Sequence, residues 1–141
     1  MQSTTVRIGE YDYQIGLLPF KSARPVYSKI QRLLVLNEDE IASSGLGLFM
    51  FAGFSGGIDD ATLGELIEAF GAVTQVAITP TQTLSLTKDE ARNLVFAGRL
   101  EDMFSWLDEC VKYNFAGCMA KLDAARSTFE AKRAAKAEPK K

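Results

Sequence analysis

The second half of the chain carries the strongest constraint on the fold, a set of mostly apolar residues spaced for one face of a helix. From Leu100 onward these residues recur at intervals of three and four, which is the spacing of a stripe along an α-helix. They are Leu100, Met103, Leu107, Cys110, Val111, Asn114, Cys118 and Leu122. Charged residues such as Asp108, Glu109 and Lys112 fall on the opposite side, and we interpret them as solvated charges. The pattern predicts a main helix in this half.

The start and the length of this helical region can be estimated from local signals. Thr87 and Glu90 fit a capping box, in which the side chain of each residue accepts a hydrogen bond from the backbone amide of the other. Gly98 predicts a break between a short first helix and the main helix. One straight helix over residues 99–132 would be about 51 Å long, whereas a domain of this size has a radius of gyration of about 14 Å. We therefore expect the main helix to break, best at residues 114–117, or to project from the body.

Two short runs of alternating apolar residues near the N-terminus predict a β-hairpin. They span residues 6–9 and 13–17, with Glu10, Tyr11 and Asp12 between them. An isolated hairpin is marginally stable, so we expect it to pack on a helix or to pair with another chain. The second run leads into a predicted helix over residues 20–36, with Pro25 in its first turn. The exposed side of this helix is basic, and it is either a solvated face or a partner-binding face.

The middle of the chain contains an unusual segment, residues 45–57, in which five glycines alternate with large apolar residues. It lacks the third glycine of a dinucleotide fingerprint and the Lys-Ser/Thr pair of a phosphate loop, so we expect no nucleotide ligand. Two interpretations stay open: a buried core segment, or an apolar surface that a partner covers. In the second interpretation the partner-binding residues are Leu48, Phe49, Phe51 and Phe54.

A further helix is predicted to follow the glycine-rich segment, with Asp59 as its N-cap. Its apolar face comprises Leu63, Leu66, Ile67, Phe70, Val73 and Ala77. Pro80 ends the segment, and residues 80–86 are predicted to form a polar loop.

Together these patterns predict a mainly α fold with a small N-terminal β-hairpin (α+β), that is, a helical domain with a long C-terminal helix. We place a single globular domain at residues 1–123 and an exposed basic helical tail at residues 124–141. A chain of 141 residues can bury a core without disulfides or metal. Residues 121–141 hold seven basic and three acidic side chains, whereas the remaining 120 residues hold nine basic and fifteen acidic ones. The body is therefore acidic and the tail basic.

The residue types point away from catalysis, cofactors and metals. Histidine is absent, which removes the commonest general base and the commonest metal ligand. Cys110 and Cys118 would lie about 12 Å apart on one helix, too far for a disulfide, and two cysteines alone do not make a zinc site. We expect a protein that is not an enzyme and has no cofactor, with reduced cysteines as in the cytoplasm.

Membrane and nucleic-acid ligands are not expected either. The longest apolar stretch, residues 46–54, is far shorter than the roughly 20 residues that a membrane-spanning helix needs, and residues 1–5 contain no apolar run of a signal peptide. The body lacks the aromatic residues interleaved with basic ones that are typical of single-strand binding.

Two short motifs resemble the small tail assembly chaperones of tailed bacteriophages with long tails. The first, over residues 13–20, reads Tyr-Gln-Ile-Gly-Leu-Leu-Pro-Phe and passes from a strand directly into a helix. The second begins at Gly98, continues through residues 107–115 and ends in Asn-Phe. In that family a Tyr-x-Ile-Gly-x-Leu entry and a helix finishing near Asn-Phe recur around a largely helical middle. The resemblance covers roughly residues 6–119 in outline.

The resemblance implies a non-enzymatic phage tail assembly chaperone in the host cell cytoplasm. Its expected partners are the tape measure protein, which it would keep soluble, and the tail tube protein, whose assembly it would assist. Helical grooves on a small acidic body suit the binding of apolar helical segments, and homo-oligomers are a further expectation. Two alternatives stay open: a small phage-encoded binder that inhibits a host protein, and a structural virion subunit.

Overall fold

The computed structural model describes residues 3–44 and 47–116, together with residues 120, 124, 127, 128, 131 and 132. Over residues 3–114, four strands and five helices follow one another as two strands, three helices, two strands and two helices, and the described residues from 116 onward are also helical. These strands and helices are β1 (Ser3–Ile8), β2 (Tyr11–Gly16), α1 (Phe20–Ser44), α2 (Leu48–Ser55), α3 (Asp60–Gly71), β3 (Thr74–Thr79), β4 (Gln82–Ser85), α4 (Asp89–Phe96) and α5 (Leu100–Asn114).

The four strands form one antiparallel sheet in the order β1-β2-β3-β4. The predicted N-terminal hairpin is present as β1 and β2, joined by Gly9 and Glu10. Gly9 has a φ of 59°, and a glycine at the first position of a two-residue loop is typical of a type II′ turn. Strand β2 also pairs with β3, with Tyr13 opposite Val76. The sheet therefore joins the N-terminal hairpin to the second half of the chain.

One face of the sheet is covered and the other is open. Tyr13, Ile15 and Val76 are fully buried on the covered face, where α5 contacts β1 and β2. Thr5, Gln14 and Gln75 lie side by side across the strands on the open face and are exposed. This alternation of buried apolar and exposed polar residues is what an antiparallel sheet with one solvated face shows.

Helix α5 confirms the main helix that the apolar stripe predicts. Its buried residues are Met103, Trp106, Leu107, Cys110 and Val111. The Trp106 ring lies 5.4 Å from that of Phe96. Trp106 Nε1 donates to Thr74 Oγ1 at 3.2 Å, and Thr74 Oγ1 donates to the carbonyl of Phe70 at 2.8 Å. Because these polar groups are paired, the largest side chain of the core is buried without an unsatisfied donor.

The predicted fold class is wrong about the sheet, because the strands extend well beyond a small hairpin. The helix predicted after the glycine-rich segment has an apolar face that continues to Ala77, but in the structure α3 ends at Gly71. From Thr74 the burial alternates residue by residue, with Thr74 and Val76 buried and Gln75 exposed, which is the period of a strand. The expected polar loop over residues 80–86 is also wrong, since Gln82–Ser85 forms β4 on the edge of the sheet.

The predicted long C-terminal helix is wrong as well. Helix α5 has 15 residues and ends at Asn114, within the predicted break region. There the Asn114 side chain bonds backbone groups elsewhere in the fold, and the Phe115 ring packs 5.4 Å from Tyr27 and 6.5 Å from Phe70. At Phe115 the backbone leaves the helical conformation, with φ −133° and ψ 59°, and these contacts hold that residue in place. The predicted tail at residues 124–141 lies mostly outside the described residues.

The local helix signals are partly confirmed. Asp59 caps α3 as predicted: its Oδ2 accepts from the Thr62 amide at 3.2 Å, and hydrogen bonding from the Thr62 side chain, followed by that from its amide, lowers the pKa of the Asp59 carboxyl. Gly98, with a φ of 75°, separates α4 from α5. The capping box is wrong, because Lys88 is the N-cap of α4 and the Thr87 hydroxyl pairs with that of Ser85.

Helix α1 is longer than the predicted segment over residues 20–36, since it continues to Ser44. Pro25 is its sixth residue and therefore lies beyond the first turn in which it is predicted. At that position proline removes one amide from the backbone ladder of the helix. The helix nevertheless keeps its apolar face in the core, where Val26, Ile30, Leu33 and Ile41 are buried.

The hydroxyl of Tyr13 is buried with no hydrogen-bond partner among the described residues, and this burial raises the pKa of Tyr13 well above its ordinary value of 10.0. An unsatisfied buried polar group costs about 1–3 kcal/mol. We therefore expect Tyr13→Phe to raise the free energy of unfolding by about 1 kcal/mol at pH 7, as measured by urea denaturation.

The same burial fixes the pH dependence of this effect. The folded chain holds the Tyr13 proton more tightly than the unfolded chain, so its contribution is intact below about pH 10 and is lost as the pH rises above that value. The advantage of Tyr13→Phe over the wild type should therefore widen above pH 10. A lower stability of Tyr13→Phe at pH 7, or parallel losses in both proteins at high pH, would contradict this expectation.

Candidate partner-binding surface

Neither a metal-binding cluster nor a reactive thiol is found among the described residues. Among them, no three or more Asp, Glu, Cys or His side chains are grouped so as to hold a metal ion. Cys110 is buried, and that burial raises the pKa of its thiol well above the ordinary value, which disfavours the reactive thiolate. The surface features that can be assigned a role are apolar and charged patches.

The predicted partner-binding residues of the glycine-rich segment belong to α2. Leu48 and Phe49 are buried in the core, and Phe51 is half-buried and packs against it. The side chain of Phe54 lies outside what the structure describes. The buried-segment interpretation therefore holds for Leu48 and Phe49. A partner role for these residues stays a prediction, and it would require α2 to leave the core.

Helix α2 is held in place by a carboxylate from α5. Its N-cap is Gly47, which has no side chain to supply a cap. Asp108 replaces it: the Phe49 amide donates to Oδ1 at 2.7 Å and the Met50 amide donates to Oδ2 at 3.2 Å. Amides of the first helical turn are thereby satisfied by a negative charge, which the helix dipole also favours. The interpretation of Asp108 as a solvated charge is therefore wrong.

Two glycines of the segment are explained by close packing on α5. A Cβ atom at position 47 would collide with the Asp108 carboxylate, and a Cβ atom at position 53 would collide with the Phe104 ring. Any larger residue at Gly47 or Gly53 would therefore require the Asp108 carboxylate or the Phe104 ring to shift. Packing of α2 on α5 thus explains two of the five glycines in the segment.

Exposed apolar side chains concentrate where β2 passes into α1. Five large apolar side chains are exposed within the described residues, and three of them lie in this short stretch. Leu17, Phe20 and Tyr27 are exposed by 44, 78 and 36%. Tyr27 also packs on Phe115, so Leu17 and Phe20 are the exposed apolar residues nearest the junction, and exposed apolar patches mark binding sites more often than single exposed residues do.

Two depressions adjoin this stretch of chain. Leu17 and Pro19 line a cleft of about 410 Å³, whose other walls include Val73 and Gln75. A shallow groove of about 400 Å³ lies along α1 and is lined by residues that include Lys21 and Arg24. We call Leu17, Pro19, Phe20, Lys21 and Arg24 the junction surface.

The junction surface combines apolar and positively charged groups. The guanidinium of Arg24 lies over the Phe20 ring, 5.9 Å from its centre, which is within the range of a cation–π interaction. Arg24 is four residues after Phe20 and shares its side of α1, and Lys21 lies beside Arg24 in the lining of the groove along α1. A ligand bound here would meet apolar side chains beside two cations, so this surface favours apolar segments that carry acidic residues.

Asn114 fixes the backbone beneath the junction surface. Its Oδ1 accepts from the Leu18 amide at 2.8 Å, and its Nδ2 donates to the carbonyls of Gly16 and Cys110 at 3.3 and 3.1 Å. The residues on both sides of Leu17 are therefore tied to the end of α5. Asn114 lies on the apolar stripe in sequence, and this role was not predicted, although an amide among apolar positions near a helix end was a usable signal.

The fold and this surface define a small α+β domain with an exposed apolar and basic patch. Comparison with protein-family models, with curated proteins and with solved structures yields no match. Within the described part of the chain, none of the helices combines the length and the apolar character that crossing a membrane requires.

Proposed function

We propose that the chain is a non-enzymatic tail assembly chaperone of a long-tailed bacteriophage. In this role it binds the tape measure protein and assists assembly of the tail tube in the host cytoplasm. The observation that carries the proposal is the junction surface, in which Leu17 and Phe20 are exposed, Arg24 lies over the Phe20 ring, and Lys21 and Arg24 line a groove. The surface coincides with the motif at residues 13–20, on which the resemblance to these chaperones rests.

The physical basis of the proposal is the covering of apolar surface on a long partner. Complete burial of a leucine or phenylalanine side chain is worth about 1.5–3 kcal/mol, so two exposed anchors can support a weak, reversible contact. The cations of Lys21 and Arg24 select segments with acidic residues and exclude basic ones. An amphipathic helix with this composition fits such a surface through its apolar face.

The test is co-expression with the tape measure protein encoded in the same gene cluster. We expect the soluble fraction of the tape measure protein to rise in the presence of the chain, and the two proteins to copurify. A Leu17→Ser, Phe20→Ser double variant should bind at least roughly tenfold more weakly, with an unchanged circular dichroism spectrum. The matched control is Leu94→Ser, Leu100→Ser, which removes two leucines that are 55 and 58% exposed elsewhere.

The outcomes separate the function from the site. If the wild-type chain leaves the tape measure protein insoluble and unbound, the proposed function is wrong. If the wild type binds and both double variants bind equally well, the function stands and the junction surface is the wrong site. Purified virions should lack the chain, because an assembly chaperone leaves before the particle is complete; its presence there would favour a structural virion subunit.

A further inference from the structure

The two edges of the sheet differ in how well they are protected against pairing with another strand. Strand β4 has four residues and pairs with β3 through a register irregularity between Ala77 and Thr79, and short or irregular edges resist pairing. Strand β1 has six residues in unbroken register with β2. It contains neither proline nor lysine, and its inward-facing residues Thr4, Val6 and Ile8 are uncharged. Apart from the charge of Arg7, the described strand β1 therefore lacks the sequence features that protect natural edges.

Two observations show which residues of β1 direct their backbone N–H and C=O groups away from β2. One is the turn between β1 and β2, and the other is a hydrogen bond between β2 and the chain beside it. Ile8 and Tyr11 flank a two-residue turn, so they form a hydrogen-bonded pair. The Gly16 amide donates to the carbonyl of Val73 at 2.8 Å, so the backbone groups of Gly16 face β3. Along an antiparallel strand, the backbone groups of successive residues point alternately to one neighbouring strand and to the other. Both observations therefore give the same assignment. The residues of β1 whose backbone groups face away from β2 are Ser3, Thr5 and Arg7.

We propose that two copies of the chain pair through β1 in antiparallel orientation, with Thr5 facing Thr5 of the second copy across a two-fold axis. In this register Ser3 faces Arg7 of the second copy, and Arg7 faces Ser3. Each facing pair exchanges two backbone hydrogen bonds, so every outward-facing group of the described strand has a partner. The central pair of threonines is a favourable cross-strand combination, and no like charges face each other.

Neighbouring registers are less favourable. A shift of two residues in one direction places Thr5 opposite Arg7 and brings the two arginines closer together, and Arg7 is already paired with Asp12 at 3.3 Å on the open face. A shift in the other direction carries Arg7 past the end of the described strand of the second copy. Among the residues of β1 that the structure describes, the register centred on Thr5 therefore pairs the most backbone groups at the lowest electrostatic cost.

The pairing would produce one continuous eight-stranded sheet. A two-fold axis perpendicular to the sheet keeps the covered faces of both copies on the same side. The exposed row formed by Thr5, Gln14 and Gln75 would then continue from one copy into the other. This proposal does not depend on the function proposed above.

Disulfide trapping tests the register directly. In facing hydrogen-bonded pairs the Cα atoms are about 5.5 Å apart, within the range of a disulfide. Thr5→Cys in a Cys118→Ser background should therefore form a covalent dimer on mild oxidation, and Cys110 should not interfere because it is buried. The matched control is Arg7→Cys, whose copies would be about 13 Å apart, four residues along the strand. The Arg7→Cys protein should not form a disulfide-linked dimer by itself, but it should form one with an equimolar amount of Ser3→Cys protein.

The mass in solution gives a second, independent measurement. By size-exclusion chromatography with light scattering, we expect the wild type to have the mass of two chains. Thr5→Pro removes only an outward-facing amide, a substitution that an edge strand tolerates, and should give one chain with an unchanged circular dichroism spectrum. Thr5→Val keeps the amide and should stay dimeric. A monomeric wild type, a dimer that survives Thr5→Pro, or equal cross-linking of Thr5→Cys and Arg7→Cys would each overturn the proposal.

Discussion

Replacing Asp108 with alanine is expected to lower the free energy of unfolding by about 3 kcal/mol, since a hydrogen bond to a charged group is worth about 1.5–3 kcal/mol. The Asp108 carboxylate accepts from the amides of Phe49 and Met50 at 2.7 and 3.2 Å. Without it, the first turn of α2 has no side-chain cap, because Gly47 supplies none. Urea denaturation followed by circular dichroism measures the loss.

Two further variants make this expectation specific. Glu109→Ala removes the same charge from the adjacent residue of α5 and should change the free energy of unfolding by less than about 1 kcal/mol. Asp108→Asn keeps one acceptor oxygen but places an NH₂ group against the second amide, so it should recover only part of the loss. Equal, small effects of Asp108→Ala and Glu109→Ala would mean that the carboxylate does not hold α2.

Sequence patterns predict the elements whose determinants are local. The alternation along β1 and β2, the Asp59 cap, the Gly98 break and the stripe of α5 all lie within a few residues of the structure that they specify. The stripe is less reliable at its start, since Leu100 is largely exposed. These signals hold because propensity, capping and periodicity agree there with the final packing.

Strands β3 and β4 are missed because their stability comes from distant partners. Val73 and Ala77 happen to continue the helical spacing of α3, so a strand signal is hidden by a helix signal over the same residues. Strand β4 is polar in sequence and is a strand because β3 lies beside it. The alternation around Val76 and the proline turn at Pro80 were usable signals, which a period of two would have detected.

The contacts that position the candidate site could not be predicted from spacing. Asp108 reaches amides 58 and 59 residues earlier in the chain, and Asn114 bonds backbone groups 96 and 98 residues earlier. A carboxylate beside other charges on a helix is most often solvated. Only the tertiary arrangement of α5 against α2 and against the start of α1 shows that these two side chains have structural roles.

Replacing Phe49 with alanine is expected to lower the free energy of unfolding by about 3–5 kcal/mol, the usual cost of removing a buried aromatic side chain. Phe49 is fully buried in α2, which packs on α5 and α1. The matched control is Phe20→Ala, which makes the same chemical change at a residue that is 78% exposed. That variant should stay within about 0.5 kcal/mol of the wild type. Thermal and urea denaturation of both variants provide the measurement.

The Phe20 and Phe49 variants also distinguish the two interpretations of α2, a buried core segment or an apolar surface that a partner covers. One variant should affect binding only, and the other should affect stability only. Phe20→Ala should weaken copurification with the tape measure protein and leave stability unchanged. Phe49→Ala should lower stability and, at a temperature where it is still folded, bind as the wild type does. If Phe49→Ala instead kept full stability and lost the partner, α2 would be a surface that opens to a bound segment. The predicted role of Leu48, Phe49, Phe51 and Phe54 would then replace that of the junction surface.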